Sequence, residues 1–204
     1  NPLVEAVPPS GIRKFFDIAG GIEDVISLGI GEPDFVTPYH IRSAVIDSLM
    51  DGQTQYTANY GMIELRREIA HYLSARFGVH YDAENEVLVT VGASEAIDMV
   101  MRGLLAPGDE VILPDPGYVS YQPCVQFAGG TPVVVPTDAD NGFMVTPEAL
   151  EKAVTDKTKA VFLAYPCNPT GAVMPLDTMQ AIADIVIRHD LLMIVDDIYI
   201  ELVY

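Results

Sequence analysis

From residue 86 onward, short unbroken apolar runs alternate with segments whose apolar residues recur at helical spacing. Runs at 86–91, 110–113, 131–135, 159–164 and 191–195 predict strands. Segments at 94–105, 119–128, 146–153 and 176–189 predict helices. Pro107-Gly108-Asp109 supplies a turn, and Asn141-Gly142 lies in a loop. A strand that is apolar throughout has no solvated face, so it belongs in a sheet covered on both sides. The predicted fold class is therefore α/β, a three-layer sandwich around a mostly parallel sheet.

The first 85 residues carry a different pattern. Residues 1–9 hold three prolines and read as an extended arm. Ser10 can cap a short helix to about Ala19, striped by Ile12, Phe15, Phe16 and Ala19 and stopped by Gly20-Gly21. A short strand at 25–28 precedes Gly29-Ile30-Gly31-Glu32-Pro33-Asp34-Phe35, a loop with too many breakers to be regular. Thr37-Pro38 predicts a helix start, with Thr37 as cap and Pro38 in the first turn, running to about Met50. The next helix, 62–77, is expected to bury Met62, Leu65, Ile69, Tyr72 and Leu73 and to end at Gly78.

Composition narrows the function classes. Of 204 residues half are apolar, enough for a substantial core. Acids outnumber bases 29 to 11, and the net charge of -18 repels phosphate backbones, which argues against nucleic-acid binding. Cys124 and Cys167 form no disulfide framework, as in a cytoplasmic protein. No apolar run approaches the roughly 18 residues of a membrane span, and the start of the chain lacks a signal-peptide pattern, so a soluble protein is expected.

Candidate chemistry sits just after the predicted strands. Open α/β sheets bind ligands at the carboxyl ends of their strands. After 159–164 comes Tyr165-Pro166-Cys167-Asn168-Pro169-Thr170-Gly171, and after 191–195 come Asp196-Asp197-Ile198-Tyr199. A carboxylate at the end of a buried strand is costly unless it meets a cation or a proton donor. Together Asn168, Asp196 and Tyr199 suit a flat heteroaromatic ring with a phenolic oxygen and a basic nitrogen. Alone, Asn168 reads as an Asn-Pro turn and Asp196 as the cap of a following helix. Val91-Gly92-Ala93-Ser94 opens a helix, whose free N–H groups and dipole make a phosphate seat, although alone Ser94 reads as its cap. In Asp115-Pro116-Gly117-Tyr118-Val119-Ser120-Tyr121, Tyr118 can stack on an aromatic ring or sit in the core.

These motifs, in this order, resemble the fold-type I pyridoxal-phosphate enzymes, specifically the class I/II aminotransferases. The resemblance implies pyridoxal 5'-phosphate as cofactor and amino acids with 2-oxo acids as substrates, with aspartate or aromatic donors as a family-level expectation. It implies Ala93 (backbone) and Ser94 as phosphate ligands, Tyr118 as the stacking ring and Asn168 as a donor to the phenolic oxygen, with a cis bond before Pro169. It also implies Asp196 on the ring nitrogen, Tyr199 on the phenolic oxygen and Gly31 beside the substrate carboxylate. Tyr56, in Gln55-Tyr56-Thr57-Ala58-Asn59-Tyr60-Gly61, resembles the tyrosine that reaches the partner subunit's phosphate, which implies a homodimer. On this resemblance residues 1–36 are an arm and a segment of a small domain, and 37–204 the cofactor-binding large domain.

The family also needs a lysine to form the Schiff base and act as general base, placed beyond the residues matching Asp196 and Tyr199. The lysines here are Lys14, Lys152, Lys157 and Lys159, so no catalytic residue is assigned within this chain. It is expected to be the front part of a longer enzyme and inactive alone. A lyase or decarboxylase on the same scaffold, a cofactor-binding sensor domain and a naturally short scaffold protein are the competing readings. A sensor domain would want a DNA-binding helix-turn-helix, which residues 1–37 do not show.

Overall fold

The computed structural model describes residues 2–8, 18, 24, 26 and 35–202. The expected helix from Ser10, the strand at 25–28 and the loop carrying Gly31 fall largely outside the described residues, Gly31 itself wholly so. The chain divides into two compact units, one of residues 1–8 and 91–204, the other of residues 9–90.

The larger unit holds the sheet. Its elements are α1 (Pro2–Glu5) and then α4 (Ala93–Leu104), β1 (Glu110–Asp115), α5 (Tyr121–Phe127), β2 (Thr131–Pro136), α6 (Pro147–Ala153), β3 (Thr158–Leu163), α7 (Leu176–Arg188) and β4 (Leu192–Val195). The strands run in the order β2-β1-β3-β4, and every pairing is parallel. Register places Asp115 opposite Pro136, and Leu163 opposite Val195, so the carboxyl ends of the strands share one edge.

Alternation along the strands builds two cores. Val111 and Leu113 of β1, with Ala160, Phe162 and Ala164, pack with Ile97 and Met101 of α4 and with Tyr121, Cys124 and Val125 of α5. On the other face Ile112, Val161 and Leu163 meet Leu150 of α6 and Ile182, Ile185 and Val186 of α7. Helix α6 starts as the sequence predicts, the Thr146 hydroxyl accepting from the Ala149 N–H at 3.2 Å, with Pro147 in the first turn.

The smaller unit contains α2 (Tyr39–Met50) and α3 (Ile63–Phe77). Helix α3 ends at Gly78, whose φ of 71° supplies the left-handed cap. Arg66 is its buried residue, donating through Nη1 to the Glu84 carbonyl at 3.3 Å and lying over the Tyr60 ring.

Several expectations are corrected. Residues 2–5 are helical rather than extended; Pro2 stands in the first turn, where its missing N–H costs nothing. Pro38 takes the cap position of α2 and no side chain caps that helix. Met62, Leu65 and Tyr72 are exposed, and Ile69 and Leu73 are only half-buried, because the apolar stripe of α3 is incompletely covered among the described residues. The 86–91 run is not a strand. Parallel pairing requires a neighbouring strand, and the backbone bonds seen from this run go instead to a turn, Glu86 N–H to Asp82 C=O at 2.8 Å, and to a loop, Val89 N–H to Tyr60 C=O at 3.1 Å.

Candidate active site

The carboxyl edge of the sheet gathers the loops after β1, β3 and β4. The β1 loop turns sharply at Gly117, where a Cβ would lie 2.9 Å from the Pro114 carbonyl oxygen, so only glycine lets the chain bring Tyr118 over the sheet end. The β3 loop is closed on itself by Gly171 N–H to Cys167 C=O at 2.7 Å and Cys167 N–H to Ala172 C=O at 2.9 Å. It contains cis peptides at Tyr165-Pro166 and Asn168-Pro169, and the β1 loop contains another at Asp115-Pro116. The buried Cys167 thiol lies 3.8 Å from the Pro116 carbonyl, joining the two loops.

The Asn168 amide nitrogen donates to the Tyr199 hydroxyl at 3.3 Å, although the two residues are 31 positions apart. Two donors this close can converge on a single acceptor oxygen. Asp196 continues the β3–β4 ladder through its own N–H, which donates to Leu163 C=O at 2.9 Å. Its carboxylate then receives two donors: the Ile198 N–H on Oδ1 at 3.2 Å and the Tyr121 hydroxyl on Oδ2 at 2.8 Å. One oxygen therefore caps the following turn, and the other is reserved by a side chain from α5. The Tyr118 and Tyr121 rings meet edge to face with centroids 5.5 Å apart, and the Tyr121 and Phe162 ring centroids are 4.2 Å apart. Asn168 with Tyr199, and Asp196 with Tyr118, are thus linked, the latter pair through Tyr121.

Ala93 and Ser94 open α4. A five-residue link joins α4 to the amino end of β1, so the helix runs back across the sheet and its first turn lies toward the carboxyl edge. Gly92, at φ 82°, is the N-cap residue, and Ser94 stands inside the helix instead of capping it. The Glu95 carboxylate folds back onto the Val91 N–H. Tyr56 belongs to the other unit and its side chain is fully exposed.

Burial shapes the electrostatics. It pushes the Tyr121 hydroxyl well above the ordinary tyrosine range, and the hydrogen bond to Asp196 pushes it further. Asp197 is held above the usual carboxylate range by burial and by its neighbour Asp196. Tyr165, whose hydroxyl accepts from the Val145 N–H at 3.1 Å, is also raised, chiefly by burial. Among the described residues no group of three or more His, Cys, Asp or Glu could hold a metal ion, and no helix is long and apolar enough to cross a membrane.

Sequence reasoning assigned no role to Tyr121. The signal was present: a buried strand-end carboxylate needs a donor, and Tyr121 stands three positions after Tyr118 in the β1 loop motif.

Residues 23–204 match the family described as aminotransferase class I and II. An aspartate aminotransferase of Pyrococcus abyssi is 46% identical over 201 residues, covering 98% of this chain and 52% of its own length. An aromatic-amino-acid aminotransferase of Thermococcus litoralis is 44% identical over 201 residues, with the same coverage of 98% and 52%. The crystal structure of an aspartate aminotransferase from Rhizobium meliloti superposes with a TM-score of 0.93 at 35% identity, covering 100% of this chain and 52% of that one. The chain spans about half the length of the curated relatives it matches.

Proposed function

Because this chain belongs to the class I and II aminotransferases, we propose that its full-length protein is a pyridoxal 5'-phosphate-dependent aminotransferase. It moves an amino group from an amino acid to a 2-oxo acid such as 2-oxoglutarate. Aspartate and aromatic amino acids are the first donors to test, since relatives carry those names. The observation that carries this reading is the anchored Asp196 carboxylate sharing one sheet edge with the Asn168–Tyr199 donor pair.

The residues fit the cofactor. Asp196 is an anion where a protonated ring nitrogen would need one, and it is already oriented by two donors. Asn168 and Tyr199 would donate to the ring's phenolic oxygen, and Tyr118 would cover one face of the ring. The Ala93 backbone and the Ser94 hydroxyl would take the phosphate at the start of α4. When bound, the cofactor supplies an electron sink for bond cleavage at the substrate's α-carbon. Asp196 serves that chemistry by keeping the ring nitrogen's proton in place. Gly31 would lie beside the substrate carboxylate. Tyr56 would reach the phosphate of a second subunit, in a homodimer; its full exposure leaves it available for that contact.

The test is amino-group transfer by the full-length protein across a panel of donors with 2-oxoglutarate, alongside Asp196→Asn. Breaking a buried ion pair costs roughly 3–5 kcal/mol, so kcat/KM should fall by about a hundredfold or more. Absence of transfer from every donor, or an unimpaired Asp196→Asn enzyme, would refute the reading. A mixed dimer of Tyr56→Phe and Asp196→Asn subunits tests the shared site: it should regain activity that neither parent has, and a sum of the parental activities would count against it.

A further inference from the structure

Tyr121 touches two of the groups proposed to hold the ring, Asp196 and Tyr118, and nothing in its packing requires a hydroxyl. Its side chain is 3% exposed, packed against the Phe162 ring with centroids 4.2 Å apart and edge to face with the Tyr118 ring at 5.5 Å. A phenylalanine would fill the same space. The hydroxyl instead donates to Asp196 Oδ2 at 2.8 Å, while the backbone N–H of Ile198 takes Oδ1 at 3.2 Å. The carboxylate is therefore oriented before any ligand arrives.

We infer that Tyr121 is a positioning residue: by donating to Asp196 it aims the carboxylate and keeps the ion pair's proton on the ring nitrogen. This rests on the cofactor reading given above. The physical reason is that a hydrogen bond to the ionised form of an acid favours that form. With the donor in place one carboxylate oxygen is already engaged, and the shared proton stays on the ring side of the ion pair. Without it, the carboxylate competes harder and the proton shifts toward the acid. Burial keeps the phenol protonated across the physiological range, so it acts as a donor and not as a proton shuttle. Because Tyr118 rests on the same ring, stacking face and nitrogen partner are set by one side chain.

The experiment uses the full-length protein and pyridoxamine 5'-phosphate labelled with 15N in the ring, a ligand held without a covalent bond. Tyr121→Phe should move the ring-nitrogen shift toward neutral pyridine. It should also weaken binding by about three- to tenfold, the scale of lost preorganisation, while the thermal midpoint of the ligand-free protein stays close to the parent's. Substituting 3-fluorotyrosine at position 121 makes the phenol a stronger donor without altering the packing, and should move the shift the opposite way. Asp196→Asn separates the two ideas. If it leaves shift and affinity unchanged, the cofactor reading itself fails. If it changes them while both Tyr121 substitutions do not, the reading stands and the role given to Tyr121 is overturned.

Discussion

Asn168 and Tyr199, and Tyr121 and Asp196, are pairs whose members lie 31 and 75 positions apart and whose polar atoms meet at 3.3 and 2.8 Å. Such contacts depend on backbone placed with little tolerance, and Gly117 is where that tolerance is least. A Cβ there would meet a backbone oxygen at 2.9 Å, which cannot rotate away. Gly117→Ala should cost about 1–3 kcal/mol, the usual range for overpacking, read from urea denaturation. It should also weaken pyridoxamine 5'-phosphate binding, because Tyr118 is the next residue. Tyr118→Ala isolates the ring's own part: losing an aromatic contact of about 0.5–1.5 kcal/mol predicts a roughly two- to twelvefold rise in Kd. An unchanged Kd would remove Tyr118 from the site.

At the scale of elements, α6 and α7 are tied at their ends as well as through Leu150 and Ile182. Glu151 accepts from His189 Nε2 at 2.7 Å and from Arg188 Nη2 at 3.1 Å. The hydrogen bond from His189, then the Arg188 charge, hold its carboxyl below the ordinary glutamate range. A depressed carboxyl pKa contributes stability above the unfolded value and loses it as pH falls through the folded one. Wild type should therefore melt above Glu151→Gln at neutral pH, and the gap should close as the solution is acidified below the glutamate range. A gap that stays constant with pH would show that the pair contributes nothing ionic. The amino end of α6 offers a simpler test. Thr146→Ala removes its cap and should cost about 1 kcal/mol, whereas Thr146→Ser should retain most of it.

For the whole molecule, the parallel sheet decides where chemistry can occur and which surfaces remain to be covered. Strands β2 and β4 are both edges among the described residues, and Leu192 and Val195 of β4 are about half exposed. Unpaired parallel edges with apolar side chains template association. Residues 1–204 produced alone should therefore self-associate in light scattering, while the full-length protein gives a discrete species. A monodisperse 204-residue monomer would contradict this.

The alternation of apolar runs and helical stripes after residue 110 was enough to place β1 to β4 and the helices between them within one or two residues, because local periodicity records which faces are buried. The residues Asn168, Asp196 and Tyr199 were equally legible as candidates, since a polar group following an unbroken apolar run stands out from its neighbours. Tertiary structure decided the rest. The 86–91 run has strand composition, yet a strand exists only when another chain segment accepts its hydrogen bonds. The apolar stripe of α3 is only partly covered for the same reason, with Met62, Leu65 and Tyr72 exposed, as burial belongs to a pair of surfaces and not to one helix. Tyr121 became a partner of Asp196 only when parallel pairing brought the ends of β1 and β4 to a common edge, because hydrogen bonds form across space and sequence spacing does not encode that distance.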